Sequence, residues 1–270
     1  MTQDRYFSLA LIGAGNMGGA LLSGWLARGI DTSVITAIDP NTPPAASRSG
    51  IRLASGPAGL GKFDVLVIAI KPQLFADVLP GLAHLCGPQT AVVSVAAGQT
   101  IKSIAHRLGH SGAIIRTMPN TPALIGKGVT GAFANAACTT DQKARVNGLL
   151  EAVGKVAWVD DESLIDAVTA VSGSGPAYVF HLVEAMAEAG RKAGLPADLA
   201  MLLARETVSG AGELLARSSE PASRLRENVT SPKGTTAAAL EVLMGEGGLA
   251  PLMERAVAAA KQRAQELAGE

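Results

Sequence analysis

Apolar residues fall in two different rhythms along this chain, and the change between them divides it. Up to about residue 160 they gather in short, nearly unbroken runs: Phe7–Ile12, Ser33–Ile38, Asp64–Ile70, Thr90–Val95 and Ala113–Arg116. Runs of this length, bounded by glycine or proline, suit strands buried on both faces of a sheet. Between them the apolar positions recur at helical spacing, as in Gly19–Arg28 and from about Pro72 to Leu85. Gly128–Asn135 and Val153–Val159 continue the strand series, with a helix from about Thr140 to Val153 between them. Strands alternating with helices predict an α/β domain with a doubly wound parallel sheet over residues 1–160.

After Asp160-Asp161-Glu162 the strand pattern stops. Ser163–Val171 reads as a helix with an acidic start, which suits the helix dipole. The run Ser172-Gly173-Ser174-Gly175-Pro176 breaks it, and Pro176 is placed to open the next helix. Ala177–Ala193 and Ala197–Arg217 follow, each apolar almost all round. Residues 161–270 are therefore expected to form an all-α domain. Helices without a wide polar face must be covered. A second copy of the chain or the preceding domain could do this. A bundle of roughly 110 residues is too small to cover both helices by itself, which favours the second copy.

The turn after the first strand carries Gly13-Ala14-Gly15-Asn16-Met17-Gly18, a complete G-x-G-x-x-G. Placed between strand and helix, it is the phosphate-binding turn of a Rossmann-type dinucleotide domain. Gly13 permits the tight turn, Gly15 lets backbone approach a pyrophosphate, and Gly18 lets helix pack on strand. Asp39 closes the second strand at the spacing where an acidic residue holds the adenosine ribose. Asp39-Pro40-Asn41 could also be a simple turn; the spacing from the glycines favours the ribose, and with it NADH. Lys71 leaves the carboxyl end of a central strand, where either a cofactor contact or an ordinary exposed lysine fits. Ala96-Ala97-Gly98 offers small residues for close approach of a nicotinamide, and Asn120, between two prolines, offers one amide.

Composition narrows the function classes. Lys+Arg and Asp+Glu both number 23, and aromatics are 3%, so neither nucleic acid nor an anionic membrane is an expected partner. No stretch reaches the roughly 20 apolar residues of a spanning helix, and the N-terminus lacks a signal-peptide pattern. Cys86 and Cys138 are far apart, which reads as a reduced, cytoplasmic chain. No His, Cys or acidic cluster has metal spacing, and no G-x-S-x-G elbow is present, so hydrolytic and metal chemistry are not expected. His181 reads as a packing or hydrogen-bonded residue on its helix, and Trp158 as core or interdomain packing.

One polar stretch remains, Asn228-Val229-Thr230-Ser231-Pro232-Lys233-Gly234-Thr235-Thr236, running directly into Ala237-Ala238-Ala239-Leu240. A loop rich in hydroxyls closing on a helix start can hold an anion with free N–H groups and the positive dipole end.

Asp166–Tyr178 and Val229–Thr236 together closely resemble the corresponding segments of the pyrroline-5-carboxylate reductases, as do Arg116–Pro122 and Ala69-Ile70-Lys71-Pro72. The resemblance runs from the first strand to the last helix. It implies a Rossmann domain with a helical dimerisation domain, forming homodimers through the C-terminal helices that often assemble into larger rings. It implies reduction of Δ1-pyrroline-5-carboxylate to L-proline, the last step of proline biosynthesis, with NADPH or NADH and no metal. By position, cofactor contacts would fall on Ile12 to Met17, Ala69, Ile70, Lys71, Pro72, Val95, Ala96, Ala97 and Asn228. Substrate contacts would fall on Glu162, Ser231, Gly234, Thr235 and Thr236; Glu220 corresponds less closely because the spacing around it slips. Gly56 stands where the family often has Asn, and Lys233 replaces one of a glycine pair: either it points outward and leaves Gly234 to supply any positive φ, which is favoured, or it adds a positive charge near the carboxylate. Thr236 is expected to hydrogen-bond the imine nitrogen, while Ser231 and the N–H groups of Gly234 and Thr235 hold the carboxylate. A β-hydroxyacid dehydrogenase is the enzymatic rival, but the helix around Lys192 has no Lys-x-x-x-Asn. A nucleotide-sensing protein without turnover is the non-enzymatic one.

Overall fold

Leu9–Ile12 is buried at every position, as a strand with neighbours on both sides and helices on both faces must be. The computed structural model describes residues 7–41 and 50–269. Leu9–Ile12 is β1, Asn16–Ala27 is α1 and Ile35–Ile38 is β2. Arg52–Ala54 forms β3 and Phe63–Ile68 forms β4; a 3-10 turn then leads into the short α2, Phe75–Val78. Cys86–Ser94 is β5, Ile101–Leu108 is α3, Ile114–Met118 is β6 and Gly128–Ala134 is β7. Thr140–Leu150 (α4) precedes Gly154–Trp158 (β8). The helices that follow are α5 (Leu164–Val168), α6 (Gly175–Lys192), α7 (Ala197–Arg217), α8 (Ala222–Asn228), α9 (Thr235–Met244) and α10 (Leu249–Gly269).

All eight strands join one sheet in the order β3-β2-β1-β4-β5-β6-β7-β8. β1 pairs in parallel with both β2 and β4, so strand order reverses there and leaves a crevice outside their carboxyl ends. Alternate side chains of β1 point to opposite faces. Leu9 and Leu11 join one apolar layer with Leu21 and Trp25 of α1, while Ala10 and Ile12 join the other with Phe75, Leu79 and Leu82.

The sheet departs from the expected all-parallel form at one junction. β7 runs antiparallel to β6, while β8 again runs parallel to β7. Only a 3-10 turn over Thr121–Ile125 separates β6 from β7, too short for the crossover that a parallel pair needs. The expected helix from about Pro72 to Leu85 is mostly 3-10, with a single α turn at α2. β3 was not anticipated; it is a three-residue, largely exposed edge with almost no apolar signature.

The described chain divides into two compact units, one of residues up to 173 with 260–270, the other of residues 174–259. In the second unit α6 packs on α7 through small residues. Ala187, Ala200 and Ala204 are buried, and a Cβ on Gly190 would lie 3.4 Å from that of Ala200. The single chain leaves Phe180, Leu202 and Leu214 more than half exposed, with Val179, Leu182 and Leu215 also uncovered.

Candidate functional site

The glycine turn owes its shape to close contacts. Gly13 has φ +84°, and a Cβ there would come within 2.8 Å of Ile70 Cγ2 and 2.9 Å of the Ala69 carbonyl oxygen. A Cβ on Gly18 would run into the carbonyl oxygen of Gly13. Gly15 differs: nothing lies within 4 Å of where its Cβ would be. That open side is where a pyrophosphate needs close approach to backbone. Gly15 is also the N-cap of α1, and the helix start has neither a side-chain cap nor an acidic first turn. Its free N–H groups, with the positive dipole end, suit an anion. The residues present therefore fit a dinucleotide.

Asp39 lies beside this turn. Its Oδ2 accepts from the Ala14 N–H at 2.7 Å, and its Oδ1 accepts from the Asn41 N–H at 2.8 Å. Ile12 is buried at the end of β1, and Ala69, Ile70 and Lys71 follow the end of β4, with Lys71 exposed and Pro72 opening the 3-10 turn. Val95 and Ala96 are buried just past β5. Gly98, φ +68°, meets the C-terminal part of α10, where its Cβ would be 2.9 Å from Leu267 Cβ. The Asn120 side chain is nearly buried and accepts from the Val129 N–H at 2.9 Å, so its carbonyl holds the β6–β7 connection. Asn228, the remaining expected cofactor residue, lies in the second unit at the end of α8 and donates to Glu220 Oε2 at 3.1 Å.

Glu162 is in the first unit. Its Oε1 accepts from the Ile101 N–H at 2.8 Å and lies 3.4 Å from Arg116 Nη1. The Thr100 hydroxyl accepts from the Ser103 N–H, so two N–H groups at the start of α3 are satisfied by side chains. Arg116 Nη2 donates to Asp166 Oδ1 at 2.7 Å. Sequence reasoning assigned Arg116 and Asp166 no role. The available signal was an arginine inside an apolar strand run, which burial allows only with a partner. Beyond α5 the chain enters a π turn over Thr169–Gly173, a form that recurs at functional sites. A Cβ on Gly173 would lie 2.5 Å from Met118 Cε, seating this turn on the exit of β6.

Ser231, Gly234, Thr235 and Thr236 lie together in the second unit. Gly234 is the N-cap of α9, extended at φ −82° and ψ 173°, and Thr235 and Thr236 form the first turn. The positive φ falls on Lys233 (+61°), contrary to the expectation that Gly234 would supply it. Gly234 is needed for a different reason: a Cβ there would overlap the Ser231 hydroxyl and lie 3.1 Å from the Ser231 carbonyl oxygen. The bend between Ser231 and Gly234 is closed by a Gly234 N–H to Ser231 carbonyl bond of 3.0 Å.

The other candidates have structural surroundings. His181 is exposed beside Glu184. Trp158 donates to Asn147 Oδ1 at 2.9 Å, and Lys143 lies over its ring. Burial pushes the Cys86 thiol up to about 11, which keeps it protonated and unreactive near neutral pH. Among the described residues no cluster could hold a metal ion, and no helix is long and apolar enough to cross a membrane.

Sheet order, glycine turn and open Gly15 define the dinucleotide-binding α/β class. Residues 8–98 match the family model described as NADP oxidoreductase coenzyme F420-dependent, and residues 162–267 match pyrroline-5-carboxylate reductase dimerisation. The chain is 42% identical to the pyrroline-5-carboxylate reductase of Pseudomonas aeruginosa, over 96% of each. To that of Pisum sativum it is 38% identical, over 97% of this chain and 96% of the relative. A pyrroline-5-carboxylate reductase structure from Coxiella burnetii superposes with TM-score 0.89 at 36% identity, covering 97% of this chain and 98% of the other. The Plasmodium falciparum enzyme, solved with NADP bound, gives 0.80 at 27% identity, covering 98% and 99%. The chain belongs to the pyrroline-5-carboxylate reductase family.

Proposed function

We propose that this protein reduces Δ1-pyrroline-5-carboxylate to L-proline, the last step of proline biosynthesis, with NADPH or NADH. The observation that carries the reading is the Ser231–Thr236 bend. It closes on the start of α9 with no room for a side chain at Gly234, in a chain matching reductases of this name over nearly its whole length.

The substrate is a cyclic imine bearing a carboxylate. When bound, the cofactor would supply a hydride to the imine carbon, and an imine that binds already protonated at its ring nitrogen becomes the amine with no further proton. Ser231 and the Thr235 N–H hold the carboxylate, where a helix start favours negative charge; the Gly234 N–H, expected to share that role, is taken by the Ser231 carbonyl and shapes the bend instead. The Thr236 hydroxyl hydrogen-bonds the ring nitrogen and can serve it protonated or not. Ile12 to Gly18, Asp39, Ala69 to Pro72 and Val95 to Ala97 hold the cofactor, with Asn120 as a further contact. Holding donor and acceptor carbons together supplies much of the rate, since orientation is worth about 7–11 kcal/mol at best. Glu162, whose carboxylate already serves Ile101 and Arg116, acts by positioning the start of α3 as well as by any direct contact.

The active form is a homodimer that covers the exposed faces of α6 and α7, and a ring of such dimers belongs to the same reading. Two free, separated cysteines support a cytoplasmic setting. The test is cofactor oxidation followed with pyrroline-5-carboxylate, beside cofactor reduction with a 3-hydroxy acid. Turnover of the imine alone supports the reading. Turnover of the hydroxy acid alone, or of neither, overturns it.

A further inference from the structure

Arg116 is buried on β6 and faces two carboxylates. Its Nη2 donates to Asp166 Oδ1 at 2.7 Å and its Nη1 to Glu162 Oε1 at 3.4 Å. Asp166 is nearly as buried as the arginine, whereas Glu162 keeps 28% of its side chain exposed. One carboxylate balances one buried cation, so the Asp166 pair accounts for the fold and Glu162 is surplus to it. Arg116 Nε is buried with no partner among the described residues, so the guanidinium is set by its two acid partners and leaves its last donor unpaired. Glu162 passes this placement on: the same Oε1 accepts from the Ile101 N–H at 2.8 Å, at the first residue of α3. Residues 95–100 connect the end of β5 to that point. At the other end of this loop the Thr117 hydroxyl donates to the carbonyl of Ser94, the last residue of β5, at 2.8 Å. Adjacent residues of β6 therefore hold both ends of the loop, Thr117 directly and Arg116 through Glu162.

We infer that Arg116 is a positioning residue for the reduction, fixing Glu162 so that the loop of residues 95–100 keeps one shape beside the cofactor. This rests on the cofactor contacts proposed above at Val95, Ala96 and Ala97. Arg116 itself touches neither cofactor nor substrate; it acts through Glu162 Oε1 and the Ile101 N–H. A shift of about 1 Å in a group that orients the reacting atoms can cost roughly 100-fold in rate while the fold stays intact.

Amide hydrogen exchange and steady-state kinetics on the full-length protein test the inference together. Arg116→Lys keeps a cation for Asp166, but a single ammonium cannot span both carboxylates. Exchange at the Ile101 N–H should quicken about tenfold or more while Leu66 of β4 keeps its protection, and kcat should fall about tenfold or more. Glu162→Gln, at a part-exposed position, keeps an oxygen for Ile101 without the charge and should quicken the same amide about threefold or more. The two substitutions together should lower kcat little further than the more damaging one alone, because both break one link. If Leu66 quickens as well in Arg116→Lys, the fold has loosened and Glu162→Gln carries the test by itself. An Ile101 amide unmoved by Glu162→Gln, a wild-type kcat in Arg116→Lys, or losses that multiply in the double variant overturn the inference. A wild type that ignores pyrroline-5-carboxylate would overturn the proposed reaction, and the Ile101 readout separates that failure from a failure of the Arg116–Glu162 link.

Discussion

Arg116 Nη2 lies 2.7 Å from Asp166 Oδ1, with the two side chains only 3% and 9% exposed. One residue belongs to β6 and the other to α5, so the pair ties the sheet to the helix leading into the π turn. Glu162 lies 3.4 Å from the same guanidinium. A buried ion pair is costly to half-remove, because the remaining charge stays desolvated. Asp166→Ala should therefore destabilise the protein by about 3–5 kcal/mol in chemical denaturation. Replacing the pair with Arg116→Met and Asp166→Leu together should restore most of that loss. A loss under about 1 kcal/mol for Asp166→Ala would show that Glu162 alone satisfies the arginine.

The glycine turn offers two alanine variants with opposite expected outcomes. Gly18→Ala drives a Cβ into the Gly13 carbonyl and should lower the melting temperature and weaken cofactor binding together. Gly15→Ala meets nothing within 4 Å, so the protein should fold with unchanged stability. Its cofactor Kd should nonetheless rise about tenfold or more, because the methyl occupies the face a pyrophosphate approaches. Unchanged affinity for Gly15→Ala would place the cofactor elsewhere.

Lys233 holds a left-handed conformation, which costs an ordinary residue about 1–2 kcal/mol. Glycine removes that strain but adds about 0.5–1 kcal/mol of unfolded-chain entropy. Lys233→Gly should thus stabilise by up to about 1.5 kcal/mol and leave the substrate KM unchanged. A raised KM would show instead that the lysine charge helps to hold the substrate carboxylate. Gly234→Ala, by contrast, displaces the Ser231 hydroxyl and should raise the KM for pyrroline-5-carboxylate.

Phe180 is 64% exposed on α6 in the single chain, beside other uncovered apolar side chains of α6 and α7. Contiguous apolar faces of this kind mark association surfaces. Light scattering should report at least twice the chain mass for the wild type and a shift towards monomer for Phe180→Asp. A wild-type monomer would contradict the proposed assembly.

Much of this was legible in the sequence because it rests on local patterns. β1, β4 and α7 follow from apolar runs and helical periodicity, and the glycine turn follows from residue type alone. The reversal of β7 was not legible, since strand direction depends on the length of a connection whose 3-10 geometry leaves little pattern. Lys233 shows a similar limit. A glycine pair marks a tight bend, but which residue takes the positive φ is decided by the contact between Gly234 and Ser231. The Arg116–Asp166 pair spans 50 residues, and only the folded sheet brings its members together. Arginine within an apolar strand announced that some partner existed without naming it.

The central claim is that the bend before α9 holds the substrate and that Thr236 serves the imine nitrogen. Steady-state kinetics of Thr236→Ala with pyrroline-5-carboxylate, paired with a direct cofactor Kd, test it most directly. A hydrogen bond to a charged group is worth about 1.5–3 kcal/mol, so kcat/KM should fall roughly 10- to 150-fold while the cofactor Kd stays within about twofold. An unchanged kcat/KM, or a loss matched by an equal loss of cofactor affinity, would contradict the assignment.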